Sequence, residues 1–448
     1  MAITSGKNTP QLNLGVLGRA KELKKRIWFV LGALIVYRIG TYVPLPGIDS
    51  RALNQLFSQH SGGIMDIFNM FSGGALGRMT IFALNVMPYI TVSIVMQLLT
   101  VMSPALSAIK KEGERGRQKI NQYTRYGTVL MASFQGMGIA VFLESSNASS
   151  GGGLVLDPGL FFRISTISTL VGGTMFLMWL GEQITARGIG NGISLIIFAG
   201  IVAGLPSALA STFELGRTGA LSTVVILLIV ALAIGLIFFI VFMELSQRRI
   251  VVQYPKRQMG NKMFGGESTH MPLKLNMSGV IPPIFASSLL LFPATLAGFS
   301  AGEGPAWLET LTIYLGHGKP LYIATYVLLI VFFCFFYTKN VFNPTETADN
   351  LKKNGGFVPG IRPGKHTADY IDRILTRITV IGAAYIAFVC VVPEILISQY
   401  AVPFYLGGTS LLIVVNVTMD TMTQVQSHLL AHQYEGLLKK AKLGGRRK

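Results

Sequence analysis

The stretch LSTVVILLIVALAIGLIFFIVFM, residues Leu221–Met243, decides the class of fold to which this chain belongs. It contains no charged residue, and it is long enough to cross the hydrocarbon layer of a membrane, which takes about 20 helical residues. Lipid offers no hydrogen-bond partner to a backbone N–H or C=O group, so a run of this kind has to be helical. A closed barrel would instead show shorter segments of alternating polarity. The stretch therefore predicts a transmembrane helix.

Composition extends this conclusion to the whole chain. Of the 448 residues, 51% are hydrophobic and only 13% are charged, whereas about 25% of the residues of a soluble protein are charged. This composition excludes a soluble globular enzyme and an intrinsically disordered chain. We expect an all-α polytopic membrane protein. Its ten predicted spans are Ile27–Tyr42, Met79–Met102, Gly127–Leu143, Ile164–Gly181, Ile189–Ala208, Leu221–Met243, Met277–Phe299, Leu321–Tyr337, Ile378–Ile397 and Val402–Thr418.

The net charge of +18 is distributed unevenly along the chain. The two ends and alternate connections between the predicted spans hold 32 of the 38 Lys and Arg residues, but only 12 of the 20 Asp and Glu residues. The positive-inside rule places these segments, with both termini, in the cytoplasm.

The spans divide as five plus five, which is typical of inverted repeats, and the repeat is a hypothesis at this point. The predicted organisation is a tail over 1–26, a first half over 27–208, an external connection over 209–220, a second half over 221–424 with cytoplasmic loops 245–275 and 338–377, and a tail over 425–448.

Two of the cytoplasmic loops are unusually long for connections inside a compact domain. In the first, Gln247–Gln258 alternates basic residues with β-branched and aromatic ones. This alternation predicts a strand or one arm of a hairpin. The loops are interpreted as a docking platform, with a passive linker as the alternative.

Between the first two predicted spans lies a short apolar segment, Gly62–Gly74, bracketed by paired glycines. It is too short to cross the membrane, and such segments are typically re-entrant or interfacial. A re-entrant helix dipping in from the external face and a helix lying at the interface both fit these residues.

The predicted spans lack the charged residues near the bilayer centre that mark ion or proton pathways, which disfavours a secondary solute transporter. They also show no catalytic constellation, which disfavours an intramembrane enzyme, and no metal-ligand spacing. Several spans instead carry aliphatic residues four positions apart, such as Val86 with Ile90 and Ile193 with Ile197. Residues at this spacing share one face of a helix. From the pattern alone, ordinary packing remains the favoured explanation for them.

Six long strings in both halves match a known family. They are FNMFSGGALGRMTIFALNVMPYI (Phe68–Ile90), IKKEGERGRQKINQYTRYGT (Ile109–Thr128), MFLMWLGEQITARGIGNGIS (Met175–Ser194), QRRIVV (Gln247–Val252), FNPTETADNLKKNGGFVPGIRPG (Phe342–Gly364) and PFYLGGTSLLIVV (Pro403–Val415). From about Gly18 to Lys442 the chain resembles the SecY/Sec61-alpha family of protein-conducting channels. The resemblance implies ten helices in two inverted halves, a re-entrant plug helix, and translocation of unfolded polypeptides without enzymatic activity or a cofactor.

The same resemblance assigns roles to individual residues. It implies a plug at Gly62–Gly74 that closes the channel from outside, and a lateral gate between the second and seventh spans, with Gln97 and Asn276 as polar candidates at that seam. The implied plug residues are Ile64, Met65, Ile67, Phe68, Met70 and Phe71. The implied pore ring consists of Val86, Ile90, Ile193, Ile197, Ile284 and Ile413, and the family's ring is mostly isoleucine, so Val86 departs from it slightly.

Partners are also implied by the resemblance. SecA and the ribosome would dock on the basic loops through Arg248, Arg249, Lys256, Arg257 and Arg362, and clustered basic residues suit the phosphates of ribosomal RNA. SecE and SecG would be membrane partners, and signal peptides and nascent chains would pass through the pore or leave it into the lipid bilayer. The expected location is the bacterial inner membrane.

Overall fold

The computed structural model describes residues 21–49, 53, 69, 72–149, 153–219, 222–255, 257–259, 262–264, 268–299, 314, 319–400 and 407–444. The helices named in this article are α1 (Lys21–Gly40), α2 (Met87–Met102), α3 (Pro104–Lys111), α4 (Glu114–Ser149), α5 (Leu160–Arg187), α6 (Gly192–Arg217), α7 (Thr223–Leu245), α8 (Ile281–Phe299), α9 (Pro320–Val341), α10 (Pro344–Lys353), α11 (Lys365–Tyr400) and α12 (Gly408–Gly444). The strands are β1 (Gln247–Gln253), β2 (Arg257–Met259), β3 (Lys262–Phe264) and β4 (Ser268–Lys274).

Six stretches within the described residues are long and apolar enough to cross a membrane: α4, α5, α6, α7, α9 with its continuation into α10, and α11. Helices α2 and α3 together would make a seventh, although the chain bends by 98° between them. Helices α1, α8 and α12 occupy the places of the first, seventh and tenth predicted spans. The first turns of α1 are basic, and α12 contains the polar residues Asn416 and Asp420. Neither helix is therefore apolar along its whole length.

The second span begins later than the sequence predicts. The prediction starts at Met79, but the helix starts at Met87 and the residues before it form turns. Met79 and Asn85 have left-handed backbone angles, with φ of +41° and +49°, which an α-helix cannot contain. The backbone there pairs with the chain after α1 instead, because the N–H of Leu45 donates to the C=O of Met79 at 2.9 Å. Pro88 then stands in the first turn of α2, where a missing N–H costs nothing.

The predicted strand in the first long loop is confirmed. Strand β1 pairs antiparallel with β4, with Arg248 opposite Leu273, and β2 pairs with β3. A further bridge between Gln253 and Phe357 joins this hairpin to the second long loop. The two loops share a separate hydrophobic core, in which Ile250, Leu273, Val358 and Ile371 are buried. We call this unit the loop domain. A unit with its own core favours a docking platform over a passive linker.

The main core unites helices of both predicted halves. In the first half α4 packs against α2 and α5, and α5 against α6, while in the second half α9 packs against α8 and α11. Contacts between the halves join α8 to α2 and α4, and α12 to α6. Buried residues from all these regions except α4 belong to a single hydrophobic cluster.

Candidate functional site

Four residues of the implied pore ring belong to that hydrophobic cluster, and the other two, Ile193 and Ile284, pack against it. Val86 and Ile413 are each only 1% exposed, Ile90 and Ile197 are buried, and Ile193 and Ile284 are half-buried against the cluster. The six come from four helices, two in the first half and two in the second. The structure therefore brings together residues that are up to 327 positions apart in the sequence. Their role as a constriction remains a prediction.

The ring residues share a local position, because each lies within the first two turns of its helix or just before it. Val86 is the residue that precedes α2, and its C=O accepts from the N–H of Ile90 at 3.0 Å. Helix α6 starts at Gly192 because the Asn191 side chain accepts from the N–H groups of Ile193 and Ser194, at 3.1 and 3.4 Å. A side chain at an N-cap that accepts such bonds fixes where a helix begins. The cap therefore determines which way Ile193 and Ile197 face.

The six implied plug residues lie outside the residues that the structure describes. The residues that follow them are tied to the end of α1. The Tyr37 hydroxyl donates to the C=O of Ser72 at 3.4 Å, and the Arg38 guanidinium donates to the C=O of Gly73 at 3.0 Å. Gly73 also touches α6 closely, since a Cβ placed on it would lie 2.9 Å from the Cα of Gly200. The residues that follow the predicted plug residues are thus packed against the end of α1 and against α6.

Two arginines and a tyrosine lie next to residues 73 and 74. The guanidinium of Arg78 lies 4.2 Å from the centre of the Tyr42 ring and that of Arg38 lies 5.0 Å from it, distances typical of cation–π contacts. Arg78 also donates to the C=O of Gly74 at 3.2 Å. Tyr42 lies just beyond the end of α1, and its hydroxyl accepts a hydrogen bond from the Arg38 guanidinium at 3.0 Å. The C=O groups of Gly73 and Gly74 thus accept hydrogen bonds from two arginines that both lie against the Tyr42 ring.

Within the part of the chain that the structure describes, buried side-chain oxygens without a hydrogen-bond partner occur on α2 and α8, the helices of the predicted lateral gate, and also on α4, α5 and α11. Gln97 on α2, Gln135 on α4 and Ser288 on α8 each carry a buried side-chain oxygen with no hydrogen-bond partner among the described residues. These three helices contact one another. The sequence singled out Gln97, but it missed Gln135 and Ser288. The available signal was a polar residue inside an apolar span.

Asn276, the other predicted gate residue, is buried and has a different partner. Its amide donates to the carboxylate of Glu244 at the end of α7, at 2.6 Å. Glu244 was missed by sequence reasoning because it falls at a span end, where a charge is unremarkable. The structure leaves untested whether Asn276 acts at the gate.

The predicted docking residues lie on the loop domain. Arg248 and Arg249 are exposed on β1 and Arg362 is exposed in the second loop. Lys256 and the side chain of Arg257 lie outside the described residues. Within the described ranges, no group of three or more His, Cys, Asp or Glu side chains could hold a metal ion, and the thiols of Cys334 and Cys390 are buried and free.

These features define a class: a mainly helical, multi-pass membrane protein whose helices share a buried hydrophobic core. The family model of SecY matches residues 80–422. Protein translocase subunit SecY of Escherichia coli (strain K12) is 59% identical over 429 residues, covering 96% of this chain and 96% of that one. The same subunit of Vibrio cholerae is 59% identical over 428 residues, covering 95% and 96% of the two chains. The chain belongs to the SecY family, whose members are translocase channel subunits and not enzymes. Family membership implies ten spans, and bacterial relatives imply the inner membrane.

Solved structures share the fold at lower identity. A structure described as a protein-conducting channel gives a TM-score of 0.59 at 18% identity, covering 90% of this chain and 92% of the other. A structure addressing how the plug domain of SecY stabilises the closed channel gives 0.60 at 19% identity, with the same coverage. Sec61 in the canine ribosome–channel complex gives 0.56 at 17% identity, covering 90% and 92%.

Proposed function

We propose that this chain is a channel that conducts unfolded secretory polypeptides across the inner membrane and releases apolar helices sideways into lipid. The observation that supports the proposal is the single hydrophobic cluster that spans both predicted halves: Val86, Ile90, Ile197 and Ile413 are buried in it, and Ile193 and Ile284 pack against it. In the family that this chain belongs to, the corresponding positions form the constriction.

An aliphatic constriction suits this task for a physical reason. A narrow hydrophobic ring excludes water and thereby blocks ions, and it offers a passing chain no specific partner. Flexible aliphatic side chains can also fit around segments of any sequence. In the resting channel, Gly62–Gly74 would close the ring from the external side, and the contacts of Ser72, Gly73 and Gly74 with Tyr37, Arg38 and Arg78 would anchor its end.

Lateral release follows from partition between the pore and lipid. Each Leu, Ile, Phe or Val in the middle of a helix favours the bilayer by about 0.3 to 0.6 kcal/mol, so an apolar segment leaves as soon as the wall opens. The contact of α8 with α2 and α4 joins the two halves there. The family resemblance assigns the lateral gate to α2 and α8, so this seam is the part of the wall that we expect to open.

The loop domain would receive the partners. Arg248, Arg249 and Arg362 are exposed on it, the sequence adds Lys256 and Arg257 to the first loop, and a basic surface suits the acidic surfaces of the ribosome and of the SecA ATPase. SecE and SecG would complete the complex in the membrane. Both termini would lie in the cytoplasm, on the same side as the loop domain, in accord with the positive-inside rule.

The test uses the channel reconstituted with SecE and SecG in vesicles, with SecA, ATP and an unfolded secretory precursor. We expect protease-protected precursor to accumulate, and Arg362→Glu to reduce that amount at least several-fold because it reverses a charge on the docking surface. Arg217→Glu is the control, since this arginine is 83% exposed at the far end of α6. If the parent vesicles protect no precursor, the proposal that the chain is a protein-conducting channel is wrong. If the parent, Arg362→Glu and Arg217→Glu protect equal amounts, only the proposed docking surface is wrong.

A further inference from the structure

Glu244 is a carboxylate held between three segments of the second half. It stands in the last turn of α7 and is partly buried. It accepts a hydrogen bond from the Nδ2 of Asn276 at 2.6 Å and another from the Nδ2 of Asn416 at 3.1 Å. Both asparagines are only 4% exposed. Among the described residues, no Lys or Arg lies within ion-pair distance of Glu244, so its bonds to the two amides are what hold it.

Asn276 organises the turn that leads into α8. Its Oδ1 accepts from the N–H of Gly279 at 3.0 Å and from the hydroxyl of Ser278 at 3.1 Å. Gly279 has a φ of +62°, so the chain reverses there in a conformation that favours glycine. Helix α8 begins two residues later, and its first turn carries Ile284. The position of Asn276 therefore sets the position of Ile284.

Asn416, on α12, is the second residue that donates to Glu244. It follows Ile413 by three residues, and residues at this spacing lie on neighbouring positions of one helix face. Glu244 thus contacts one residue that fixes the entry to α8 and one that is adjacent to Ile413 on α12. The two asparagines are 140 positions apart, and the single carboxylate is their common acceptor.

We propose that Glu244 is a positioning residue that holds Ile284 and Ile413 in register with each other at the centre of the molecule. This inference rests on the proposed function, because it concerns the second half of the constriction. Loss of the carboxylate would remove the acceptor of the buried Asn416 amide and leave the Asn276 amide only its bond to the C=O of Gly279, at 3.2 Å, and the start of α8 could then shift relative to α12. The two ring residues would move apart without any change in their own side chains.

The experiment uses disulfide formation to report the separation of positions 284 and 413. Ile284→Cys and Ile413→Cys are introduced together, and the yield of the disulfide formed under a mild oxidant is compared in the parent and in Glu244→Ala, Glu244→Gln and Asn416→Ala backgrounds. Each single cysteine variant controls for the native Cys334 and Cys390. Ion leakage through the resting channel in vesicles is recorded for the same backgrounds without the new cysteines. Asn340→Ala is the matched control, because Asn340 also has a side-chain partner, Lys110 at 3.0 Å, on the exposed end of a helix.

We expect the disulfide yield to fall at least threefold, and leakage to rise at least threefold, in Glu244→Ala, with smaller changes of the same sign in Asn416→Ala and none in Asn340→Ala. Glu244→Gln keeps one acceptor and should fall between the parent and the alanine variant. If Glu244→Ala fails to assemble, Glu244→Gln and Asn416→Ala decide the matter. Parental crosslinking and leakage in the assembled variants would overturn the inference. A parent channel that translocates no precursor would overturn the proposed function instead, which separates the two failures.

Discussion

A single methyl group at Gly73 tests whether the contact between the predicted plug and α6 keeps the channel closed. Gly73 has a φ of +66°, and a Cβ built on it lies 2.9 Å from the Cα of Gly200 and 3.2 Å from the Gly200 oxygen. Both obstacles are backbone atoms, so no flexible side chain can move aside. We therefore expect Gly73→Ala to push residues 72–74 away from α6.

The magnitude follows from two contributions. A non-glycine residue in the left-handed region costs about 1 to 2 kcal/mol, and an extra methyl group in a tightly packed place costs about 1 to 3 kcal/mol. Together they destabilise the closed arrangement by about 2 to 5 kcal/mol. Even the lower bound shifts an equilibrium between closed and open states by about 30-fold.

The assay is ion conductance through resting channels in a planar bilayer, at equal amounts of assembled complex. Gly113→Ala is the matched control, because Gly113 has a φ of +76° and no atom lies within 4 Å of an added Cβ. It therefore carries the backbone strain without the contact. Gly73→Ala should raise the resting conductance strongly and Gly113→Ala should not. Equal conductance in the two variants would show that the contact with Gly200 does not seal the channel.

Two further predictions concern the ring and the frame around it. Replacing Ile90 and Ile193 with glycine should raise resting ion leakage in the same bilayer assay, because the aliphatic seal loses side chains from both α2 and α6; loss of assembled complex without leakage would show that these residues only pack. The ion pair of Arg125 and Glu182, at 2.6 Å between α4 and α5, is partly exposed at 46% and 37% of its side chains, so a double-mutant cycle on thermal stability in detergent should give a coupling of about 1 kcal/mol or less. A coupling several times larger would mean that this end of α4 and α5 is shielded from water in the membrane.

The sequence predicted those features that depend on neighbouring residues. The run Leu221–Met243 is apolar over its whole length, and the structure has a helix there, Thr223–Leu245. The alternation in Gln247–Gln258 predicted extended structure, and β1 and β2 occupy most of that stretch. The charge distribution and the matching strings supplied the class and the family. In each case the information lies in residues that are close together in the sequence, so the feature can be predicted without knowing the tertiary structure.

Other features depended on residues that are distant in the sequence. Met79 looks helical by hydropathy, yet it pairs with Leu45 and adopts a left-handed conformation, so α2 starts eight residues later. The amide of Asn276 donates to Glu244, 32 positions away, a partner that the sequence did not indicate. The core shared by Ile250 and Val358 makes one domain of two loops that the sequence shows only as separate insertions.

The sequence alone thus determined that this is a helical membrane protein and to which family it belongs, because hydropathy, charge and motif strings are local properties. Only the tertiary structure decided where the helices begin at the centre, how Glu244 joins α7, α8 and α12, and how Gly73 meets α6. Those outcomes depend on which backbone and side-chain groups can find a hydrogen-bond partner once the helices are packed, and buried polar groups must be satisfied wherever the fold permits it. No periodicity along the chain encodes which distant residue becomes that partner.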